Sequence, residues 1–379
     1  MSRGVALLAD RKGKVRAPGT LGEDGGRMMD KVRANGTRSL YFFTKYILGR
    51  SYLTDSLHAP VCGFLQTRIA SRKMLLLPRE HAKTSLVSHG LPIHILLQDE
   101  ATNGYIPGIS GNDCRILLAC ETEARAMDHL RVIQTAFENN GLLRAIWPDK
   151  CWANPRRDAR KWNDKELIIP RPNEYPDPSI RGIGVGGAIT GAHPNVLIKD
   201  DLVAVEAANS PTVMMTAINW HVTSRALINS EGALEYIIGT RWAVNDLYQY
   251  IIDNDPSVIR IVRAAIENGK PIYPEMFTLE KLDQLRREFG IMFPLLYMNS
   301  ASDPELVDFD IDDLREFTFE NEMLSFEMDE RDALLATRQD RRLLPAVITG
   351  SERGQSLYHV MEQAERRGQW MGKGHSRSA

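Results

Sequence analysis

Residues 72–98, RKMLLLPREHAKTSLVSHGLPIHILLQ, decide the fold. Their apolar run Met74-Leu75-Leu76-Leu77 predicts a buried strand, and Lys83-Thr84-Ser85 follows after a short polar segment. Apolar residues then resume at helical spacing. A strand, a loop, Lys-Thr and a helix in this order are typical of a phosphate-binding loop. In such a loop backbone N–H groups face the phosphates, the Lys reaches the β and γ phosphates, and the hydroxyl holds Mg²⁺.

The loop departs from the pattern G-x-x-x-x-G-K-[ST] at both glycine positions. Pro78 stands at the first of them and Ala82 at the second. Because a methyl group disfavours positive φ, we expect a reshaped or mildly strained backbone at Ala82. Taken alone, the segment is also consistent with an ordinary helix start after a buried strand. The phosphate-binding interpretation therefore depends on motifs more than a hundred residues downstream.

Length and composition allow one large domain or two modest ones. The chain has 379 residues, of which 43% are hydrophobic, and a net charge of −2. Four cysteines without a CxxC pair indicate free thiols of a reducing compartment. No apolar run approaches the ~18–20 residues of a membrane span. We therefore expect a soluble, intracellular protein.

The order of the predicted elements indicates an α/β fold. Strands alternate with helices over 72–265, and several strands are continuous apolar runs, which predicts a mainly parallel sheet flanked by helices. We expect residues 1–36 to be a flexible basic arm and 37–265 to be the domain that contains the sheet. Residues 266–313 are expected to form a small helical lid or linker. Residues 314–379 are expected to be an acidic segment, whose acids line a solvated helix face, and a partly disordered polar tail.

A buried strand that ends in two adjacent carboxylates is the second motif, Asn195-Val-Leu-Ile-Lys-Asp200-Asp201. Ligands bind at the carboxyl ends of parallel strands, where one carboxylate can hold the Mg²⁺ hydration shell while its neighbour orients or deprotonates a water. The alternative is an acidic pair that ends a strand in solvent. A third strand ends in Gly239-Thr240-Arg241. Its hydroxyl and guanidinium are suited to sensing the γ-phosphate. The alternative is that these residues are an ordinary strand end.

The glycine-rich segment Gly182-Ile-Gly184-Val-Gly-Gly187 fits the dinucleotide-binding pattern G-x-G-x-x-G. That fold needs a crossover helix after the glycines, whereas residues 188–195 are typical of a turn. We therefore expect a flexible glycine-rich segment beside the phosphate site and no nicotinamide site. His89 and His94 are five residues apart and off one helix face, so they are interpreted as core or surface residues.

Together these motifs resemble the ATPase part of the large terminase subunit of tailed bacteriophages, the motor that packages DNA into proheads. The resemblance rests on LLLPREHAKTS (75–85), GAITGAHPNVLIKDDL (187–202) and IIGTRWAVNDL (237–247). The stretch FGIMFPLLYMN (289–299) is similar to the segment that follows the ATPase core in that family. The similarity covers roughly residues 39–313.

The resemblance implies a P-loop NTPase fold of the RecA-like type, with ATP and Mg²⁺ as ligands. It implies that Lys83, Asp201 and Arg79 are catalytic, with Arg79 touching the γ-phosphate in cis or across a subunit interface. Thr84 and Asp200 would hold the metal. Thr240 and Arg241 would couple hydrolysis to movement. The residues expected to bind the nucleotide are Pro78, Arg79, Glu80, His81, Ala82, Lys83, Thr84, Ser85, Thr240 and Arg241.

The implied function is an ATP-hydrolysing motor that packages viral double-stranded DNA. Its expected place is the host cytoplasm, transiently docked on the prohead as a homo-oligomeric ring, with a portal protein and a small terminase subunit as partners. The alternatives are a non-hydrolysing, nucleotide-binding docking subunit of the packaging complex and a helicase-type DNA-dependent ATPase. Large terminases usually carry a second, nuclease domain. Because few residues follow Asp313, we expect no nuclease activity from this chain.

Overall fold

A computed structural model of the chain describes residues 23–187, 189, 191–228, 232–300, 317–320 and 323–326. The described residues up to 300 belong to one compact unit, and those after it belong to a second. The helices are α1 Glu23–Arg38, α2 Leu40–Phe42, α3 His58–Gln66, α4 Leu91–Leu96, α5 Glu123–Asn139, α6 Gly141–Ile146, α7 Pro155–Asp158, α8 Val205–Ala208, α9 Pro211–Ser224, α10 Leu247–Asn254, α11 Leu279–Phe289 and α12 Phe293–Met298. Two π-helical turns, Phe43–Ile47 and Ser85–Gly90, continue α2 and precede α4.

A seven-stranded sheet forms the centre of the first unit, in the order β3-β4-β2-β5-β6-β1-β7. Every neighbouring pair is parallel except β3 and β4, which are antiparallel at one edge. The strands of the two units are β1 Arg72–Leu76, β2 Ile116–Cys120, β3 Glu166–Leu167, β4 Ile180–Gly184, β5 Val196–Asp200, β6 Leu234–Gly239, β7 Ile259–Val262, β8 Ile266–Glu267, β9 Lys270–Pro271, β10 Phe317–Glu320 and β11 Met323–Phe326. The prediction of a mainly parallel α/β sheet is confirmed.

Apolar layers cover both faces of this sheet, which explains why its strands are continuous apolar runs. Along β1, Leu75 points into one buried cluster, while Met74 and Leu76 point into the other. Side chains alternate between the two faces of a strand, so a strand covered on both sides needs apolar residues at successive positions. No helix in the described ranges is long and apolar enough to cross a membrane.

Strand β6 lies between β1 and β5 and sets the geometry of the edge where functional residues were expected. Leu76 of β1 pairs with Gly239, and Asp200 of β5 pairs with Ile238. Since the three strands are parallel, their carboxyl ends meet at the same edge of the sheet. The loop after β1, the acids after β5 and Thr240 after β6 are thus brought together.

Helix α1 corrects the expectation that residues 1–36 form a flexible arm, because residues 23–38 are helical. Residues 1–22 lie outside the described part of the chain. Val32 is buried, and Arg33 donates a hydrogen bond of 2.9 Å to the carbonyl of Ile146. A Cβ at Gly36 would come within 2.8 Å of the Trp147 ring. A helix that docks through glycine needs few large apolar residues, which is why composition alone missed it.

The glycine-rich segment at 182–187 is likewise corrected, since Gly182 and Gly184 belong to strand β4 and not to a flexible loop. Strand β4 pairs with β2 and lies four places away from β1. A Cβ at Gly184 would come within 2.5 Å of the backbone nitrogen of Glu123. The glycines therefore let helix α5 lie close against the sheet, and no phosphate ligand is needed to explain them.

Residues 266–300 form a helical appendage that contains α11 and α12. Tyr273, Phe277, Phe293 and Tyr297 make a separate buried aromatic cluster within it. The predicted boundary between 265 and 266 stays a prediction, although the appendage lies in the same compact unit as the sheet.

In the second unit, β10 and β11 form an antiparallel hairpin. It replaces the helix expected there, because FTFE alternates aromatic and polar residues with a period of two. The remaining residues of 301–379 lie outside the described ranges.

Candidate functional site

The loop that follows β1 contains two non-glycine residues in the left-handed region. Glu80 has φ of 64° and Ala82 has φ of 61°. The sequence placed Ala82 where a phosphate-binding loop has glycine, and the expected positive φ is confirmed. Such residues cost on the order of 1–3 kcal/mol and persist where the surroundings hold them in place.

The helical appendage holds the outer side of this loop. The buried His81 ring stacks on Phe277, with ring centroids 4.6 Å apart and planes 13° apart. The backbone nitrogen of Arg79 donates to the carbonyl of Leu296 at 2.9 Å. Burial lowers the pKa of His81 to about 4, so the ring is neutral at physiological pH. His81 therefore anchors the loop through packing, and its side chain points into the appendage.

The π-helical turn after Lys83 directs hydroxyl groups toward the acids of β5. Ser88 donates a hydrogen bond to Asp200 Oδ2. Thr84, directly before the turn, presents its hydroxyl to the same carboxylate and opposes the rise in the pKa of Asp200 that burial causes. Ser85 is instead bonded to the hydroxyl of Tyr52, at 2.8 Å. The one-residue expansion of a π-helical turn re-aims side chains and is frequent at functional sites.

Lys83 lies at the centre of the site. Its side chain is 8% exposed, and its ammonium donates a hydrogen bond to Thr240 Oγ1. The same nitrogen lies 3.4 Å from Asp201 Oδ2. The loop after β1, the end of β5 and the end of β6 are therefore joined through one buried ammonium. This is the convergence that the sequence motifs predicted.

Asp200 has one engaged and one unengaged carboxylate oxygen. Oδ2 accepts from Ser88 and lies 3.4 Å from His129 Nε2. Oδ1 is buried and has no hydrogen-bond partner among the residues described. Burial, followed by the charge of Asp201, raises the pKa of Asp200. A buried carboxylate with a bare oxygen is suited to a cation, which would compensate both the burial and the neighbouring charge.

Asp201 is held mainly through its backbone. Its nitrogen donates to the carbonyl of Ile238 at 3.0 Å, and its own carbonyl accepts from the nitrogen of Glu121 at 3.2 Å. Its φ is 44°, and its side chain is 41% exposed. Asp201 Oδ1 has no partner within the described structure. The carboxylate thus faces the ammonium of Lys83 through Oδ2, while Oδ1 is buried.

The structure gives the two predicted arginines different surroundings. Arg79 is exposed, and its guanidinium lies 5.8 Å from the centroid of the Trp242 ring. Arg241 is buried, and its guanidinium donates to Gln249 at 2.9 Å and to the carbonyl of Val244 at 2.7 Å. It is also paired with Asp246, at 3.3 Å. Every contact found for the Arg241 guanidinium in the described residues is therefore to its own loop and helix α10.

Sequence reasoning missed two residues that the structure brings to Asp200, Ser88 and His129, and it interpreted His89, which contacts His129, only as a core or surface residue. His129 Nδ1 lies 3.1 Å from His89 Nε2, so the two imidazoles form a chain that ends at the carboxylate. The four-residue spacing between Thr84 and Ser88 could have indicated a shared face. No local signal links His129 to Asp200, because that contact depends on β2 lying beside β5.

Strand β6 separates the loop-bearing β1 from the acidic β5, and Lys83, Thr84, Asp200 and Thr240 meet at the carboxyl edge of these strands. The fold is a mainly parallel α/β sheet flanked by helices, as predicted for a P-loop NTPase. Within it, Lys83 and Thr84 occupy the loop positions expected to contact phosphate and metal, and Asp200 occupies the end of the acidic strand.

The chain is similar in structure to solved phage large terminases. It matches the HK97 bacteriophage large terminase at 16% sequence identity and a TM-score of 0.39, over 60% of this chain and 47% of that one. It matches the Thermus phage P74-26 large terminase ATPase domain at 17% identity and a TM-score of 0.37, over 62% and 90% of the two chains. The chain thus covers just under half of the HK97 protein. No family model and no curated protein matches the sequence.

Proposed function

We propose that this chain is a Mg²⁺-dependent ATPase and the motor subunit of a machine that packages viral double-stranded DNA. The observation that carries the ATPase proposal is the position of the Lys83 ammonium, held between Thr240 and Asp201 at the sheet edge where β5 ends in Asp200. An ammonium, two carboxylates and a hydroxyl at one sheet edge are the groups that phosphoryl transfer from a nucleotide requires.

The donor set fits Mg²⁺. The cation prefers oxygen ligands and keeps several waters, so one carboxylate and one hydroxyl are enough protein ligands. Asp200 and Thr84 supply these, and the partnerless Asp200 Oδ1 is the oxygen left free for the cation. When bound, Mg²⁺ would neutralise charge on the phosphates.

Each remaining side chain then has a distinct task. Lys83 would exchange its contact with Asp201 for phosphate oxygens, which frees the Asp201 carboxylate to orient the attacking water. Thr240 would keep its hydrogen bond with the Lys83 ammonium during this exchange and so hold the ammonium in position. Arg79, exposed on the loop, is placed to contact the γ-phosphate of its own site or of a neighbouring subunit. Arg241 would act by ordering the loop after β6, since its guanidinium is already engaged there.

The DNA substrate is proposed from the motif resemblance of the sequence to large terminase ATPases. On that proposal the chain works in the host cytoplasm as a ring docked on a prohead. Its partners would be double-stranded DNA, a portal protein and a small terminase subunit. DNA stimulation of ATP turnover is the property that would connect the nucleotide site to this role.

The test is steady-state phosphate release from ATP by the purified chain, with and without double-stranded DNA, for wild type and Lys83→Ala. We expect turnover that needs Mg²⁺, rises with DNA and is abolished in Lys83→Ala. Lys165→Ala is the matched control, because Lys165 is half exposed and pairs with Glu123 on the surface. Wild-type turnover in Lys83→Ala would contradict the site assignment.

A second candidate function is a nucleotide-binding docking subunit that does not hydrolyse ATP. The strained backbone at Ala82 favours it, because a loop held at φ of 61° without glycine has less freedom to adjust during a reaction cycle. Nucleotide binding without phosphate release, with DNA present, would support this candidate over the first.

A further inference from the structure

We propose that His129, supported by His89, is a positioning residue that sets the rotation of the Asp200 carboxylate so that Oδ1 faces the bound cation. The proposal rests on the proposed function and deepens it by naming the side chains that orient the metal ligand. Neither histidine touches the nucleotide or the cation in this arrangement. Their effect on the cation is transmitted through Asp200.

The two oxygens of Asp200 are distinguished by their partners. His129 Nε2 lies 3.4 Å from Oδ2, and the Ser88 hydroxyl donates to the same oxygen. Oδ1 is left bare, although the residue is only 2% exposed. The Ser88 hydroxyl of the π-helical turn is thus hydrogen-bonded to one edge of the carboxylate, and the His129 ring of helix α5 lies within ion-pair distance of the same edge. The opposite edge is left for a ligand.

The contacts from Asp200 to His129 and from His129 to His89 have a defined direction once Asp200 is ionised, as a metal ligand must be. A carboxylate only accepts, so His129 carries its proton on Nε2 and presents a lone pair at Nδ1. That lone pair accepts from His89 Nε2, at 3.1 Å. His89 Nδ1 is then a bare acceptor, and it is indeed buried without a hydrogen-bond partner in the described structure. Burial lowers the pKa of His89 to about 3 and also lowers the pKa of His129.

Local structure places the His129 ring beside Asp200 and the His89 ring beside His129. Helix α5 begins directly after β2, the sheet neighbour of β5, so a residue near its start faces the end of β5. The π-helical turn Ser85–Gly90 presents Ser88 and His89 to the same region from the other side. The His89 and His129 rings are 5.2 Å apart and tilted by 56°, which leaves room for only the hydrogen bond between them. Side chains that orient metal ligands typically change metal affinity 10- to 100-fold when they are removed.

The test measures cation binding and not turnover alone. Mn²⁺ affinity is determined by electron paramagnetic resonance in the presence of a non-hydrolysable ATP analogue. Nucleotide affinity is measured separately in EDTA. For His129→Leu we expect Mn²⁺ affinity to fall about tenfold or more, with nucleotide affinity in EDTA unchanged. His129→Gln, which keeps a donor near the position of Nε2, is expected to stay within about threefold of wild type.

His94→Leu is the matched control. His94 is also buried, but it is bonded to Tyr105 and to the carbonyl of Gly36, so its loss should leave Mn²⁺ affinity unchanged. His89→Leu removes the donor to His129 without touching Asp200 and should weaken Mn²⁺ binding by a smaller factor. The double variant His89→Leu/His129→Leu should be no weaker than His129→Leu, because the two rings act as one chain.

The outcomes separate the two proposals. If wild type binds Mn²⁺ with the nucleotide and a folded His129→Leu binds it equally well, the positioning role is refuted and the ATPase site stands. If His129→Leu does not fold, His89→Leu decides, and unchanged Mn²⁺ affinity in that variant refutes the role. If wild type binds neither nucleotide nor Mn²⁺, the proposed function fails and the positioning role fails with it. Equal losses of Mn²⁺ affinity in His129→Gln and His129→Leu would also refute the positioning role.

Discussion

Replacement of Glu235 by leucine should expose how strongly the sheet depends on a buried charge network. Glu235 lies 2.5 Å from the ammonium of Lys199 and 2.6 Å from Arg72, and the side chains of Glu235 and Lys199 are both fully buried. In Glu235→Leu, Arg72 keeps its 2.6 Å contact with Asp255. Lys199 keeps uncharged partners, Nδ1 and the carbonyl oxygen of His221 at 3.0 and 3.3 Å and the Trp220 ring, whose centroid is 5.8 Å away. One buried ammonium is thus left without a counter-charge.

Two considerations set the free energy of unfolding that Glu235→Leu should lose. Breaking a buried ion pair costs about 3–5 kcal/mol of the free energy of unfolding. The upper bound follows from proton release, because burial already lowers the pKa of Lys199 from its ordinary value of 10.5. A neutral folded lysine costs about 1.4 kcal/mol for each pH unit below that value. We therefore expect a loss of about 3–5 kcal/mol at pH 7 and of at most about 2 kcal/mol at pH 9.

The sign of this pH dependence follows from the lysine. Without Glu235, the folded pKa of Lys199 lies below the unfolded one, so the penalty is largest at low pH and disappears as the pH approaches the unfolded pKa. Urea unfolding followed by circular dichroism at pH 7 and pH 9 measures it. The double variant Lys199→Met/Glu235→Leu should recover to within about 2 kcal/mol of wild type. A loss below about 1 kcal/mol at pH 7, an equal loss at both pH values, or no recovery in the double variant would refute the reasoning.

Three further outcomes follow from the site and the appendage. Thr240→Val removes the acceptor of the Lys83 ammonium and should lower kcat/KM for ATP about tenfold or more, while Thr240→Ser stays close to wild type, as measured by phosphate release. Asp201→Asn should stop phosphate release but keep binding of a fluorescent nucleotide, and loss of binding would contradict its role toward water. Phe277→Ala removes the ring that stacks on His81 and should cost about 3–5 kcal/mol. We expect limited proteolysis to cut the loop after β1 faster in Phe277→Ala than in wild type.

The convergence of Lys83, Asp200, Asp201 and Thr240 could be predicted from sequence for a simple reason. Each follows the carboxyl end of a buried apolar strand, and parallel strands bring those ends to one edge. A shared edge could be predicted without the order of the strands, whereas the contacts of Lys83 with Thr240 and Asp201 also need β6 to lie between β1 and β5. Ala82 was predictable in the same way, since its position in the loop requires a positive φ whatever residue occupies it.

Contacts that depend on which elements become neighbours were not predictable. Pairing of His129 with Asp200 requires β2 beside β5, and engagement of Arg241 requires α10 to fold back on its own loop. Strand β4 was missed because Gly182 and Gly184 lack the apolar side chains that mark a buried strand. Their small size is explained only by the closeness of helix α5, a tertiary contact that no local pattern encodes.

The contacts between the appendage and the loop after β1 have a practical consequence for making shorter versions of this protein. A truncated chain ending at residue 265 would retain every side chain assigned to nucleotide and metal. It would nevertheless lose Leu296, whose carbonyl receives the Arg79 N–H, and Tyr273, whose hydroxyl donates to Tyr52 and so supports the partner of Ser85. A loss of ATP hydrolysis in such a deletion would therefore not show whether the appendage itself takes part in hydrolysis. A minimal fragment should extend to at least residue 300.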